Sequence, residues 1–279
     1  MNRSLSRRRL LHNALAAGAL GAFGASGVRG EDDLAPTFAP PDAFPSQDPG
    51  RVYDTVLWAH TEIDKVARVV EASPALANAA IDWGFGDWES ALGAASHMGR
   101  PDMAELLLRH GARPDLFAHA MLGHVDVVRA IVSGMPGIQS TFGPHGITLL
   151  AHAKAGKERA AAVVEYLEEV GGADPRQESQ PLPIPIEGYV GTYAWGVSEA
   201  DTVKVAARGE LLGLTHGDGF PRRLWHQGDH VFAPFGNGTL TVRFEVRGDE
   251  AVSLSVWDPD RVMSGRRVYG GRVAETPGD

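Results

Sequence analysis

The chain has 279 residues, 43% of them hydrophobic and 22% charged, and 26 Lys and Arg against 35 Asp and Glu give a formal net charge of -9. The apolar fraction fits a globular protein of one or two domains at roughly 150 residues each, and the acidic balance argues against nucleic acid, whose phosphates are met mainly by Lys and Arg. The absence of cysteine excludes a disulfide scaffold, a thiolate nucleophile, an iron–sulfur cluster and a Cys-based zinc site.

Five of the basic residues, Arg3, Arg7, Arg8, Arg9 and Arg29, fall in residues 1–30, and the first acidic residue is Glu31. Ser6-Arg7-Arg8-Arg9-Leu10-Leu11 is followed by an Ala/Gly-rich run from Ala14 to Ala25 and small residues up to Gly30. This reads as a charged segment, a short apolar segment and a cleavage zone, too short to span a membrane. The paired arginines between Ser6 and Leu10 resemble the twin-arginine export signal. That resemblance implies cleavage between Ala25 and Glu31, a periplasmic or extracellular destination and no stable membrane insertion afterwards. A basic amphipathic N-terminal helix is the alternative reading. Without residues 1–30 the charge becomes 26 − 5 = 21 basic against 35 acidic, or -14, which points to a neutral or basic protein partner.

Residues 31–50 hold five prolines and read as a disordered linker. A second proline-rich stretch spans 175–187. Between them, 51–174 has helical periodicity; after them, 188–273 alternates like strands.

The helical block repeats. Residues 90–112 run through small residues, the turn glycine Gly99, the apolar stripe Met103, Leu106 and Leu107, and the stop at Gly111. The register returns at Gly123 and again at Gly156, and a weaker first copy runs from Val56 to Val70. These features resemble ankyrin repeats, about four of them and some degenerate, which implies an α-helical solenoid with a concave docking face for protein–protein interaction. The departures are a shortened spacing from Gly99 to Gly123, four extra residues within 158–162 that predict a longer second helix, and Ser90-Ala91-Leu92-Gly93 in place of the usual Thr-Pro-Leu-His. Trp83, Phe85, Trp88 and His119 lie near the variable tips and inner face. They either anchor a partner or, for the tryptophans, cap an irregular end of the stack.

From residue 188 about eight short strands, separated by glycine turns, predict a small antiparallel barrel or half-barrel. Gly188-Tyr189-Val190-Gly191-Thr192-Tyr193 and the looser Phe244, Gly248, Leu254 run resemble the lipocalin-like domain appended to serine-β-lactamase-type hydrolases. In that family catalysis belongs to the partner domain, which this chain replaces with repeats.

Catalytic motifs are wanting. None of Lys65, Lys154, Lys157 and Lys204 has a serine three positions earlier, and Gly196-Val197-Ser198-Glu199-Ala200 departs from a nucleophile elbow. His216, His226 and His230 with Asp229 are the candidate metal ligands of the β block; as ordinary hairpin residues they need no metal. Arg222, Arg223, Arg261, Arg266 and Arg267 read as solvated strand ends or as an anion site. The sequence therefore predicts an α + β multidomain chain, exported and non-catalytic, that requires no cofactor. It binds an unidentified protein, and neither nucleic acid nor membrane. The alternatives are a metal- or ligand-binding protein or enzyme with its site in the β domain, and an accessory subunit of another exported enzyme.

Overall fold

The computed structural model describes residues 46–176, 178–196, 201–217, 219, 221–235, 240–258, 261–270 and 272–273. The export signal and residues 31–45 of the first proline-rich stretch lie outside the described residues, as do Ser198, Asp218 and the Gly236-Asn237-Gly238 turn. Among the described residues no helix is long and apolar enough to cross a membrane.

The helical block consists of four helix pairs: α1 (Pro49–Trp58) with α2 (Ile63–Ala72), α3 (Ala91–His97) with α4 (Pro101–Arg109), α5 (Leu116–Met121) with α6 (Val125–Gly134), and α7 (Leu149–Ala155) with α8 (Ala161–Val170). One local rule separates the two members of each pair. The first helices all begin at a side-chain cap: Asp48, Ser90, Asp115 and Thr148 accept hydrogen bonds from the backbone N–H groups of Arg51, Gly93, Ala118 and Ala151. The second helices have no such cap. Two of them are entered through glycines with positive φ, Gly99 at 62° and Gly123 at 77°.

Small residues let the first helices approach closely. Every residue from Ala91 to Ser96 in α3 is buried, and α3 packs against α1, α5 and α7. The second helices supply larger apolar side chains to two buried clusters, Val66, Val70, Met103 and Leu107 to one and Val128, Val163 and Leu167 to the other. The extra residues of the last pair form a 3₁₀ turn, Lys157–Ala160, instead of lengthening α8. A two-stranded hairpin, β1 (Ala80–Asp82) with β2 (Trp88–Ser90), leads into α3.

The C-terminal block is a closed barrel. Its strands are β3 (Gly191–Ala194), β4 (Thr202–Arg208), β5 (Leu211–His216), β6 (Arg222–Gly228), β7 (Val231–Pro234), β8 (Thr241–Arg247), β9 (Glu250–Asp258) and β10 (Arg261–Tyr269). Neighbours pair antiparallel in chain order, and β10 pairs with both β9 and β3, so the ring of eight closes; β11 (Arg272–Val273) adds to β10 outside it. The half-barrel alternative is thereby removed. Tyr189, Tyr193, Phe232 and Phe244 meet edge to face in the interior, which is filled by side chains as in other small barrels.

Two arginines expected at solvated strand ends are structural. Arg267 donates to the carbonyls of Gly188, Val190 and Ala251 and pairs with Glu250, tying the entry segment to the barrel rim. Arg222 pairs with Asp87 of the helical block. The second proline-rich stretch is laid on the barrel: the Gln180 N–H donates to the His226 carbonyl at 2.9 Å, and Leu182, Ile184 and Ile186 pack against the barrel core.

Candidate functional site

The β1–β2 hairpin positions the chemistry. At its tip Gly84, Phe85 and Gly86 all have positive φ, a sharp reversal that two glycines make affordable. Along the returning strand side chains alternate. Asp87 and Glu89 turn inward, while Trp88 between them is 65% exposed.

Glu89 is the centre of a cluster. Its side chain has no exposed surface, yet three imidazoles aim Nε2 at its Oε1: His97 at 2.8 Å, His145 at 3.2 Å and His60 at 3.6 Å. The other carboxylate oxygen accepts the Trp83 indole N–H at 2.7 Å. His60 lies just beyond α1, His97 ends α3, and His145 sits in the loop before α7 in a left-handed conformation, φ 59°. Asp87 fixes that loop, since Oδ1 accepts the His145 backbone N–H and Oδ2 lies 2.8 Å from His145 Nδ1.

Electrostatics follow from the geometry. Burial pushes the Glu89 carboxyl up, but the hydrogen bonds from His145 and His97 and the nearby imidazole charge outweigh it and hold the pKa at about 2. Burial likewise pushes His145 down, and its bonds to Asp87 and Glu89 reverse this and raise it to about 9. His60, Glu89, His97 and His145 bring one ligand atom each within 4.8 Å of one another, the arrangement that among the described residues could hold a metal ion.

Two concavities flank the cluster. A cavity of about 790 Å³ is lined by His60, His97 and His145 on the helical side and by Arg208, Arg222 and Arg223 on the barrel side. A cleft of about 450 Å³ lies on the hairpin's other flank, lined by Trp88, Phe117, Phe142, Pro144 and Phe235 among others.

The residues singled out in the sequence fall in different places. Trp88 is an exposed aromatic beside the cleft. Trp83 is half-buried and holds Glu89, and Phe85 packs against the barrel core, so neither stands as a free anchor. His119 meets His124 at 2.9 Å between ring nitrogens, away from the cluster. No three of the β-block candidates, His216, His226, Asp229 and His230, bring ligand atoms together. The reason is local: the His226 ring is buried against Phe232 with Nδ1 at the Gln180 carbonyl, His230 is engaged by the Tyr189 hydroxyl at 2.6 Å, and His216 stacks near Trp195. Sequence reasoning missed His60, His97 and His145. The one signal is shared by two of them: His97 ends, and His60 closely follows, the first helix of its pair, and the pairs are consecutive.

The ankyrin-repeat family model matches residues 87–119, which cover β2, α3, α4 and the start of α5. An ankyrin repeat is therefore present, and it contains the exposed Trp88 together with Glu89 and His97. No curated protein matches the chain.

Proposed function

We propose that this is an exported, non-catalytic binding protein whose ankyrin-type helix pairs act together as a short docking solenoid for a neutral or basic protein partner. The observation that carries the reading is the ankyrin repeat at 87–119 with Trp88 65% exposed at its edge, beside a cleft lined by further aromatic rings. Large aromatic side chains at the margin of a cleft are the usual anchors of protein interfaces. The acidity of the chain beyond residue 30, -14 by the count above, favours partners of opposite or no charge. Export rests on the resemblance of Ser6 to Leu11 to the twin-arginine signal, and the barrel is taken as a second interaction module similar to the domain appended to serine-β-lactamase-type hydrolases.

The docking reading is tested with the tag-free chain from residue 31 and its Trp88→Ala variant as parallel baits in the cell-envelope fraction. A defined partner should be retained by the parent, and its affinity should fall by about 30-fold in the variant, the size of a tryptophan hot spot. Equal retention by both baits would sink the reading. Export is tested separately by replacing Arg7 and Arg8 with Lys, after which the uncleaved precursor should accumulate in the cytoplasm.

A further inference from the structure

The convergence of three imidazoles on one buried carboxylate is not explained by docking. We propose that His60, His97, His145 and Glu89 form a four-coordinate site for a divalent transition metal, Zn2+ in the first place, which clasps the first two helix pairs to the loop before α7. The inference stands independently of the docking reading.

Four features of a metal site coincide here. The donor set of three imidazole nitrogens and one carboxylate oxygen is a borderline one that suits Zn2+ and its neighbours and needs no thiolate, consistent with a chain that has no cysteine. The donor spacing is of the right order: a tetrahedral ion bound at about 2.0–2.2 Å sets its ligands roughly 3.3 Å apart, Glu89 Oε1 lies 2.8, 3.2 and 3.6 Å from the three Nε2 atoms, and all four donor atoms fall within 4.8 Å of one another.

Partners behind the ligands hold the right atoms forward. His145 Nδ1 faces Asp87 Oδ2 at 2.8 Å, and His60 Nδ1 faces the carbonyls of Val56 and Leu57, both at 3.1 Å. With a metal bound, Nδ1–H would in each case donate to the oxygen and the Nε2 lone pair would face the cation. This is the carboxylate- or carbonyl-supported imidazole that recurs at metal centres. Trp83 does the same for Glu89, occupying Oε2 at 2.7 Å and leaving Oε1 to the imidazoles. Finally, the imidazoles border the cavity of about 790 Å³, which gives an ion a route in.

A cation uses these donors more fully than hydrogen bonds do. One carboxylate oxygen faces three ring nitrogens, and the rings of His60 and His145 each lie only 5.1 Å from that of His97, centre to centre. A single divalent cation uses all four donors at once. With four protein ligands the site is of the closed, structural kind. Because Asp87 also pairs with Arg222 of β6, the ion would stiffen the contact between helical block and barrel.

The test uses the tag-free full-length protein, stripped with chelator and then titrated with Zn2+ by calorimetry, with bound metal counted by mass spectrometry. One ion per chain is expected, together with a rise in Tm, and Co2+ in its place should give the intense visible absorption of a tetrahedral centre. His60→Ala removes a ligand that borders the cavity, and should weaken binding at least 100-fold while leaving the circular dichroism unchanged. Trp83→Phe should weaken it about 10- to 100-fold through Glu89, whereas His119→Ala and His226→Ala should leave it as it was. No binding by the parent overturns the proposal, and so does binding that persists in His60→Ala and Trp83→Phe.

Discussion

His152 has no exposed surface, its Nδ1 lies 2.8 Å from the Ser96 hydroxyl, and its Nε2 makes no hydrogen bond. Burial, reinforced by the like charge of His97 and His145, pushes its pKa down to about 3, so the ring is neutral in the folded chain. The unfolded chain takes up a proton near the ordinary value of about 6.5. The group's stabilisation is therefore fully present above about pH 6.5 and is lost as pH falls toward 3, by about 1.4 kcal/mol per unit. Urea unfolding of the chelator-treated protein at pH 7 and pH 5 should show a smaller acid loss in His152→Leu than in the parent; equal losses would show that His152 does not govern this limb. Glycines give a second contrast at this scale. At Gly123, φ is 77° and a Cβ would run into the Arg159 carbonyl oxygen, whereas at Gly111, φ is 89° with nothing within 4 Å. Gly111→Ala should cost about 1 kcal/mol for the left-handed backbone alone. Gly123→Ala adds the overlap, about 1–3 kcal/mol more, and the difference is read from denaturation midpoints at constant slope.

At the scale of the element, the β1–β2 hairpin joins the two blocks and explains what the sequence could and could not reveal. Its alternation sends Asp87 and Glu89 one way and Trp88 the other, while its left-handed tip places Phe85 on the barrel core. Phe85→Ala should accordingly lower stability by about 1–2 kcal/mol, for a half-buried ring, without disturbing Trp88. A variant equal to the parent in thermal unfolding would mean that the tip does not dock. The periodic elements were legible because each signal is local. Gly99, Gly123 and Gly156 mark interhelix turns, and the glycine-bounded alternation after residue 188 matches the eight barrel strands. Barrel closure was not legible, since it depends on β10 pairing with β3 across the whole block. The histidine cluster was hidden for a related reason. Its members come from the ends of two helices, one strand and one loop, with no fixed spacing, and only the stacking of the helix pairs brings them together. His226 and His230, four residues apart across a hairpin turn, looked more like ligands but are engaged separately by the Gln180 carbonyl and the Tyr189 hydroxyl.

At the scale of the whole molecule the question is whether the helical block and the barrel unfold separately. Both belong to one compact unit, and the contact between them is specific: Arg222 pairs with Asp87, its second nitrogen donates to the Trp83 carbonyl at 3.1 Å, and Phe142 meets Phe235 edge to face at 6.0 Å between ring centres. The Arg222 and Asp87 side chains are each only 12% exposed, so their pairing is poorly screened by water. Removing the guanidinium leaves Asp87 with its two bonds from His145 and so should cost less than a wholly orphaned charge, about 1–3 kcal/mol against the 3–5 typical of a broken buried pair. Because these contacts couple the blocks, calorimetry of the parent should give a single transition whose calorimetric and van't Hoff enthalpies agree. In Arg222→Ala combined with Phe235→Ala that coupling is cut, and the trace should separate into two transitions, one retaining the barrel. Should the double variant still melt in one step, cooperativity would have to run through the proline-rich segment on β6 and the Phe85 tip, and adding Phe85→Ala would then be what divides it.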